Sequence, residues 1–261
     1  MTITLLIAAL LPVVILLLYV YRKDKMQPEP VGQIVRAFLL GFLTVPLSFV
    51  ISIPSEMIGL YSEEVYTVMD AFRISFFGAA IPEEAAKLFV LWLVLRKNKF
   101  FDEKMDGIVY AVCVSMGFAA LENVTYLLSD IDSYIEIGVS RAFTAIPGHF
   151  CFGVVMGYYY SLAAFENKNK QRNRILTFVA PVILHGLYDS ILFATEPVID
   201  NISTIDENVV LFVSLSLTAL FIYFCFKMWK FGSLKIKQHI ANDKEDSKKA
   251  QEEFNDLFKK S

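Results

Sequence analysis

Seven stretches of predominantly apolar residues, each long enough to cross a bilayer, dominate this chain and decide what it can fold into. A helix needs about 20 such residues to span a hydrocarbon core roughly 30 Å thick. The stretches cover residues 3–21, 33–53, 72–95, 107–128, 141–165, 174–195 and 208–229. The first has no basic segment before it and no small-residue cleavage site after it, so it is expected to remain as a helix. The composition agrees, with 56% hydrophobic residues and a mean hydropathy of +0.51. A net charge of −3 gives no electrostatic case for nucleic acid. Cys113, Cys151 and Cys225 all fall inside apolar runs and read as small buried hydrophobes.

The charge between the stretches alternates in sign. Arg22, Lys23 and Lys25 follow the first, Glu56, Glu63 and Glu64 the second, and Arg96, Lys97, Lys99 and Lys104 the third. Asp130, Asp132 and Glu136 come next, then Lys168, Lys170, Arg172 and Arg174, then Glu196, Asp200, Asp206 and Glu207, and finally Lys227 and Lys230. Because positive loops stay on the cytoplasmic side, the expected fold is an all-α integral membrane protein. It is a bundle of about seven transmembrane helices with the N-terminus outside and the C-terminus in the cytoplasm. Residues 1–230 form the membrane domain, and 231–261 a charged cytoplasmic tail in which Phe254, Leu257 and Phe258 recur at helical spacing.

Ionisable groups cost on the order of 2.5–3.5 kcal/mol at the bilayer centre, so those found there usually have a task. The third stretch carries Glu83, Glu84 and Lys87, the fourth Glu122 and Asn123, the fifth His149, and the sixth His185 and Asp189. Glu83 and Lys87 lie four residues apart, as do His185 and Asp189, which puts each pair on one helix face. Adjacent Glu83 and Glu84 point about 100° apart, so one is expected to aim at a shared centre and the other to flank it. Counted from the outer end of each helix at ~1.5 Å per residue, Glu122, His149 and Asp189 lie roughly 10–12 Å deep and Glu83 and His185 roughly 15–18 Å deep. One slab of the membrane thus holds groups from four helices. Pro82, Pro147 and Pro181 each precede a member of this set by one to four residues, where a bent helix beside a hydrated cavity is tolerated.

Peptide hydrolysis in such a place needs a water, a base and donors for the oxyanion, and the set supplies all three. Burial disfavours a charged carboxylate while a nearby cation favours it, and that opposition is how a base is tuned to neutral pH. No Gly-x-Ser-x-Gly turn supports serine catalysis, and Asp189 has no matched aspartate for an aspartyl mechanism. Metal catalysis stays open: His149, His185, Glu122 and Asp189 are ligand types that suit zinc, leaving Glu83 or Glu84 as base, although no His-Glu-x-x-His helix is present.

At these residues the chain resembles the PrsW family of membrane proteases, distant relatives of the CAAX prenyl proteases. The resemblance covers about residues 70–195. It rests on Glu83-Glu84-Ala85-Ala86-Lys87, on Phe118-Ala119-Ala120-Leu121-Glu122, on His185-Gly186-Leu187-Tyr188-Asp189, and on His149 between the last two. Glu122 stands where CAAX-type relatives carry histidine, which favours PrsW. The resemblance implies an endopeptidase of the cell membrane that cleaves single-pass membrane proteins, typified by anti-sigma factors, near their extracytoplasmic side. It implies Glu83, Glu84, Glu122, His149, His185 and Asp189 as the catalytic set, with glutamate-activated water and no favoured cofactor, zinc being the alternative. The expected partners are the substrate and the lipid bilayer.

A rival reading is an ion- or proton-coupled transporter using the same groups as a relay. A relay would spread polar groups over several depths, and a scaffold without activity would tolerate loss of the motifs, which are all intact. Lys87 reads as the neutralising partner of Glu83, Phe118 as packing, Asn123 as an interhelical hydrogen bond, and Gly153 with Gly157 as a helix-packing face.

Overall fold

The computed structural model describes residues 2–24, 27–202 and 206–259. The charge expected at Lys25 and the side chains of Glu196, Leu257 and Phe258 lie outside the described residues. Among the described residues every regular element is a helix. In chain order these are α1 (Thr2–Lys23), α2 (Val31–Gly41), α3 (Thr44–Met57), α4 (Val68–Arg73), a π-helical segment (Ile74–Ala80) and α5 (Ile81–Leu95). Then come α6 (Lys104–Ser129), α7 (Tyr134–Phe143), α8 (Ala145–Phe165), α9 (Lys170–Phe193), α10 (Thr195–Ile202) and α11 (Glu207–Lys259).

Among the described residues, six helical runs are long and apolar enough to cross a membrane: Ile3–Lys23, Val31–Met57, Lys104–Ser129, Tyr134–Phe165, Lys170–Ile202 and Glu207–Asn255. The seventh expected stretch, 72–95, is helical throughout but built from α4, the π segment and α5. Arg73, Glu83, Glu84 and Lys87 give it a charge density that separates it from the other six. Three of the six are jointed: α2 meets α3 at Phe42–Leu43, α7 meets α8 at Thr144, and α9 meets α10 at Ala194.

The bundle is organised around α6. Of its apolar window 83% is buried, against 22% for α1 and 6% for α11. A helix apolar on all sides belongs at the centre, and one with a single buried stripe belongs at the rim facing lipid. Large side chains on α1 such as Ile7, Leu11 and Ile15 are accordingly exposed. Backbone contact at small residues brings α6 and α8 together, as the Gly153 and Gly157 face predicts. A Cβ on Gly157 would collide with the Gly107 carbonyl oxygen and come within 2.6 Å of Ile108 Cα. Without a hydrophobic driving force between helices in lipid, such close approach is what dispersion needs to hold them. On the other side of α6, a Cβ on Gly117 would strike the Phe38 carbonyl oxygen of α2.

The boundary expected at residue 231 does not coincide with a structural break, because α11 runs through it as one helix of 53 residues. Ile236, His239 and Asp243 are buried. His239 stacks on Tyr158 of α8 at 4.4 Å between ring centroids. Asp243 accepts hydrogen bonds from the backbone N–H groups of Lys104 and Met105, both at 2.9 Å. A carboxylate there satisfies donors that the first turn of α6 leaves unpaired and complements its dipole. Helical periodicity in the tail was visible in the sequence, but nothing in it says which face meets protein.

At that same end of α6 several acids crowd together. Burial pushes the Asp24 carboxyl up to about 6 and that of Glu29 up to about 7, the latter although Tyr110 Oη donates to it.

Candidate active site

Pro82 starts the helix that carries the paired glutamates, and the turn before it is π-helical. Proline has no N–H to give the preceding turn and its ring crowds the carbonyl four residues back. In the wider turn Ile81 N–H reaches the Phe76 carbonyl, five residues earlier. π turns are uncommon and recur at functional sites. Phe76, displaced by this turn, lies against Gly186 of α9, where any side chain would collide with its ring. The glycine between His185 and Leu187 is therefore the seat that lets α9 approach the π segment.

The two glutamates leave their helix in different directions. Glu84 is fully buried; its Oε1 accepts from Lys87 Nζ at 2.8 Å and lies 3.0 Å from His185 Nδ1. Glu83 is partly exposed to the cavity described below; its Oε2 is 3.2 Å from Lys87 Nζ and 3.8 Å from His185 Nε2. The sequence predicted that one of the pair would aim at the centre and one would flank it, and the structure has Glu83 on the open side and Glu84 behind.

Lys87 does more than neutralise Glu83. Its ammonium lies among Glu83, Glu84 and, at 3.2 Å, His149 Nδ1, and rests 4.0 Å from the centroid of the Phe118 ring. That ring also meets His149 edge-on. Phe118 is thus packing, as expected, but packing that faces a cation, worth up to about 2 kcal/mol when desolvated.

The remaining predicted residues converge on the same place. His149 Nε2 is 3.0 Å from Glu122 Oε2, and His185 Nε2 is 3.2 Å from Asp189 Oδ2. The two imidazoles stand 5.4 Å apart and nearly perpendicular, with Phe152 stacked on His185. Carboxylate oxygens thus lie at both ring nitrogens of His185, Glu84 at Nδ1 and Asp189 at Nε2. Asn123 donates to the Ala9 carbonyl at 2.9 Å, tying α6 to α1 as predicted.

One residue of the site was not singled out from the sequence. Arg141 of α7 binds Glu122 at 2.5 Å and Asn123 at 2.8 Å, and its guanidinium lies 3.9 Å from the Tyr126 ring centroid. The available signal was its sign: Arg141 is a cation at the edge of a loop otherwise made of Asp130, Asp132 and Glu136.

A cavity of about 880 Å³ opens onto this cluster. Glu83, Glu122, Arg141, His149, His185 and Asp189 face it from one side, while Leu217, Phe221 and Ile222 of α11 close the other. An apolar wall opposite a few convergent polar groups is the common form of a substrate site.

The donors also fit a metal. Glu83, His149 and His185 can each offer one ligand atom with all three within 4.8 Å of one another, and two histidines with a glutamate suit a zinc centre that keeps a position open. This trio differs from the set drawn from the sequence. Glu122 and Asp189 hydrogen-bond the histidine rings, and Arg141 holds Glu122 to the flank.

The family model described as PrsW family intramembrane metalloprotease matches residues 29–223, which include every residue of the cluster. The protein named Protease PrsW from Clostridioides difficile (strain 630) is 35% identical over 198 residues, covering 74% of this chain and 80% of that one. Its namesake from Oceanobacillus iheyensis is 38% identical over 187 residues, 71% of this chain and 81% of the relative. The one from Bacillus subtilis (strain 168) is 37% identical over 188 residues, covering 72% and 82%. No solved structure matches the chain. With the cluster, the membrane-length helices and these relatives in agreement, the chain belongs to the PrsW family and is an intramembrane protease of the cell membrane that crosses the bilayer several times.

Proposed function

We propose that the chain hydrolyses a peptide bond of single-pass membrane proteins by water that Glu83 activates. The observation that carries this reading is the division between the paired glutamates: Glu83 lines the cavity beside both histidines, while Glu84 is buried against Lys87 and His185. A general base needs access to the substrate, and a positioning group needs the opposite. In this mechanism Glu83 takes a proton from water as the water oxygen bonds to the scissile carbonyl carbon. The carbonyl oxygen becomes anionic and accepts a hydrogen bond from Arg141, whose guanidinium keeps N–H groups to spare beyond those it gives Glu122 and Asn123. Glu83 then passes the proton to the amide nitrogen as the C–N bond breaks, so the water oxygen ends on the new carboxyl group. Glu84 and Asp189 hold the His185 ring, and Glu122 holds that of His149.

Four carboxylates, Glu83, Glu84, Glu122 and Asp189, face two permanent cations, Lys87 and Arg141. Two protons or one divalent ion would complete the balance. A zinc ion held by Glu83, His149 and His185 would polarise the scissile carbonyl as a Lewis acid. The glutamic reading is favoured because Lys87 Nζ already places a cation among those donors, 3.2 Å from Glu83 and 3.2 Å from His149. The apolar wall of α11 supports a membrane-embedded substrate segment. The alternating loop charges support a cavity toward the outer side with the C-terminus inside, and the motif resemblance supports substrates of the anti-sigma-factor kind.

Glu83→Gln and His185→Ala are each expected to abolish cleavage of a tagged single-pass reporter without loss of the protein, and unchanged cleavage in both would sink the assignment. Elemental analysis of the purified protein decides the metal question. Near-stoichiometric zinc that disappears in His149→Ala would overturn the glutamic mechanism.

A further inference from the structure

The N-terminal end of α6, ~24 Å along the helix from Glu122 at ~1.5 Å per residue, carries a second buried polar cluster of a different kind. Asp24 follows α1, Glu103 caps α6, and Asp106 sits in its first turn. One carboxylate oxygen from each lies within 4.8 Å of the other two. Asp24 and Asp106 are 3% and 1% exposed.

Helix capping explains part of this arrangement. Asp106 Oδ2 accepts from the N–H groups of Asp102 and Glu103, at 2.9 and 2.6 Å, and Glu103 accepts from Gln27. Capping leaves Asp106 Oδ1 buried without an N–H or hydroxyl donor, and the further side chain that bonds Asp106 is another acid, Glu29. The charged groups that act most strongly on Asp24, Glu103 and Asp106 are other acids, among them Glu29 and Asp243. Lys104, in the same first turn of α6, is paired with Asp246 at 2.5 Å, and Lys23, before Asp24, lies over the Tyr19 ring. Among the described residues, then, three convergent carboxylates, two of them buried, have no cation. Buried charge without a partner is strongly unfavourable, and the remedy that oxygen ligands offer is a hard cation.

We propose that Asp24, Glu103 and Asp106 bind a hard divalent cation, of the magnesium or calcium class, at the end of the bundle opposite the protease centre. Three carboxylates leave the remaining coordination positions to water, as both ions accept. A surface pocket lined by Asp24 and Pro28 reaches the cluster, and a second, lined by Glu29 and Asp102, opens beside it. The bound ion ties the segment after α1 to the start of α6, which Asp243 of α11 caps in turn. It therefore joins the first, central and last helices at one point.

Terbium, a hard luminescent cation, is the probe, because Tyr110 donates to the adjacent Glu29 and can sensitise its emission. The full-length protein in lipid nanodiscs is expected to give saturable emission under tyrosine excitation. Asp24→Asn and Asp106→Asn should weaken Tb³⁺ binding at least tenfold, and Glu83→Gln, at the protease centre, should leave the emission in place. Competition with Mg²⁺ and with Ca²⁺ in separate arms identifies the ion preferred. Glu103→Gln alters the most exposed ligand, so it serves as a third variant should either buried one fail to fold, with helix content checked by circular dichroism. Absence of emission from the folded wild type, or unchanged binding in the folded ligand variants, would overturn the site.

Discussion

The two ends of α6 carry buried ionisable groups in comparable number and in opposite arrangement. Around Glu122 the signs interleave: Lys87 stands among Glu83, Glu84 and His149, and Arg141 holds Glu122. Around Asp106 the charged groups that converge among the described residues are acids, relieved by Tyr110 Oη and by backbone N–H groups. The first is a closed network whose members fix one another's geometry, with one edge, Glu83, left facing a cavity. Such a network can act on a neutral amide because its charges are already compensated and preorganised. The second has no such counter-charge among the described residues, which is the ground of the cation site proposed above. Between them α6 runs from Ala111 to Gly117 packed on α8 and is apolar apart from Ser115, whose hydroxyl donates to the His149 carbonyl. Among the described residues, that stretch of α6 carries no Asp, Glu, His, Lys or Arg between the two ends.

The comparison can be broken most directly through Glu83. Glu83→Gln keeps shape and removes the base, so the rate of reporter cleavage in proteoliposomes should fall by about 10²–10⁴; a fall below tenfold would show that the open edge of the network is not where chemistry occurs. Next comes the compensation itself. Lys87→Met leaves Glu84 buried beside no ammonium, and thermal unfolding in detergent should report a loss of about 3–5 kcal/mol. If that variant is as stable as the parent, the interleaving is not what holds this end together. A smaller effect tests the packed stretch that separates the ends: Gly157→Ala drives a methyl into Gly107 and Ile108 and should cost about 1–3 kcal/mol. The smallest effect has the opposite sign. In chelator, Asp24→Asn removes one like charge from the acidic end and should stabilise the protein by about 0.5 kcal/mol. Destabilisation under those conditions would mean that the acids are compensated without an ion.

Much of the end around Glu122 was legible because lipid makes charge expensive. Glu83, Glu84, Glu122, His149, His185 and Asp189 stand out against apolar runs, and all six meet in one cluster. The partition of roles between Glu83 and Glu84 was only half legible, since helical spacing says that they diverge and not which one finds the cavity. Arg141 escaped because it lies at the rim, where arginine is ordinary and only its disagreement with neighbouring acids marks it. The acidic end escaped for a related reason. Asp24, Glu29, Glu103 and Asp106 lie in or beside the connections, where carboxylates are expected to be solvated, and their convergence depends on two segments distant in sequence. The burial of Ile236 and Asp243 was hidden likewise, because amphipathic periodicity reveals a face without revealing what covers it.

The π segment makes the count of residues part of the code for the site. A turn closed five residues back instead of four holds one residue more than its neighbours, as though a codon had been inserted ahead of Pro82. Deleting a single residue from Ile74–Ala80 would reverse that event. The helix would remain apolar, continuous and long enough, yet everything before Glu83 would turn by about 100° about the axis. Phe76 would leave Gly186, and two glutamates with unchanged neighbours in sequence would present themselves to a differently shaped wall. Substitution alone does not sample this axis of variation. Along it, insertions and deletions too short to disturb the hydrophobic pattern act as changes of phase between one half of a helix and the other.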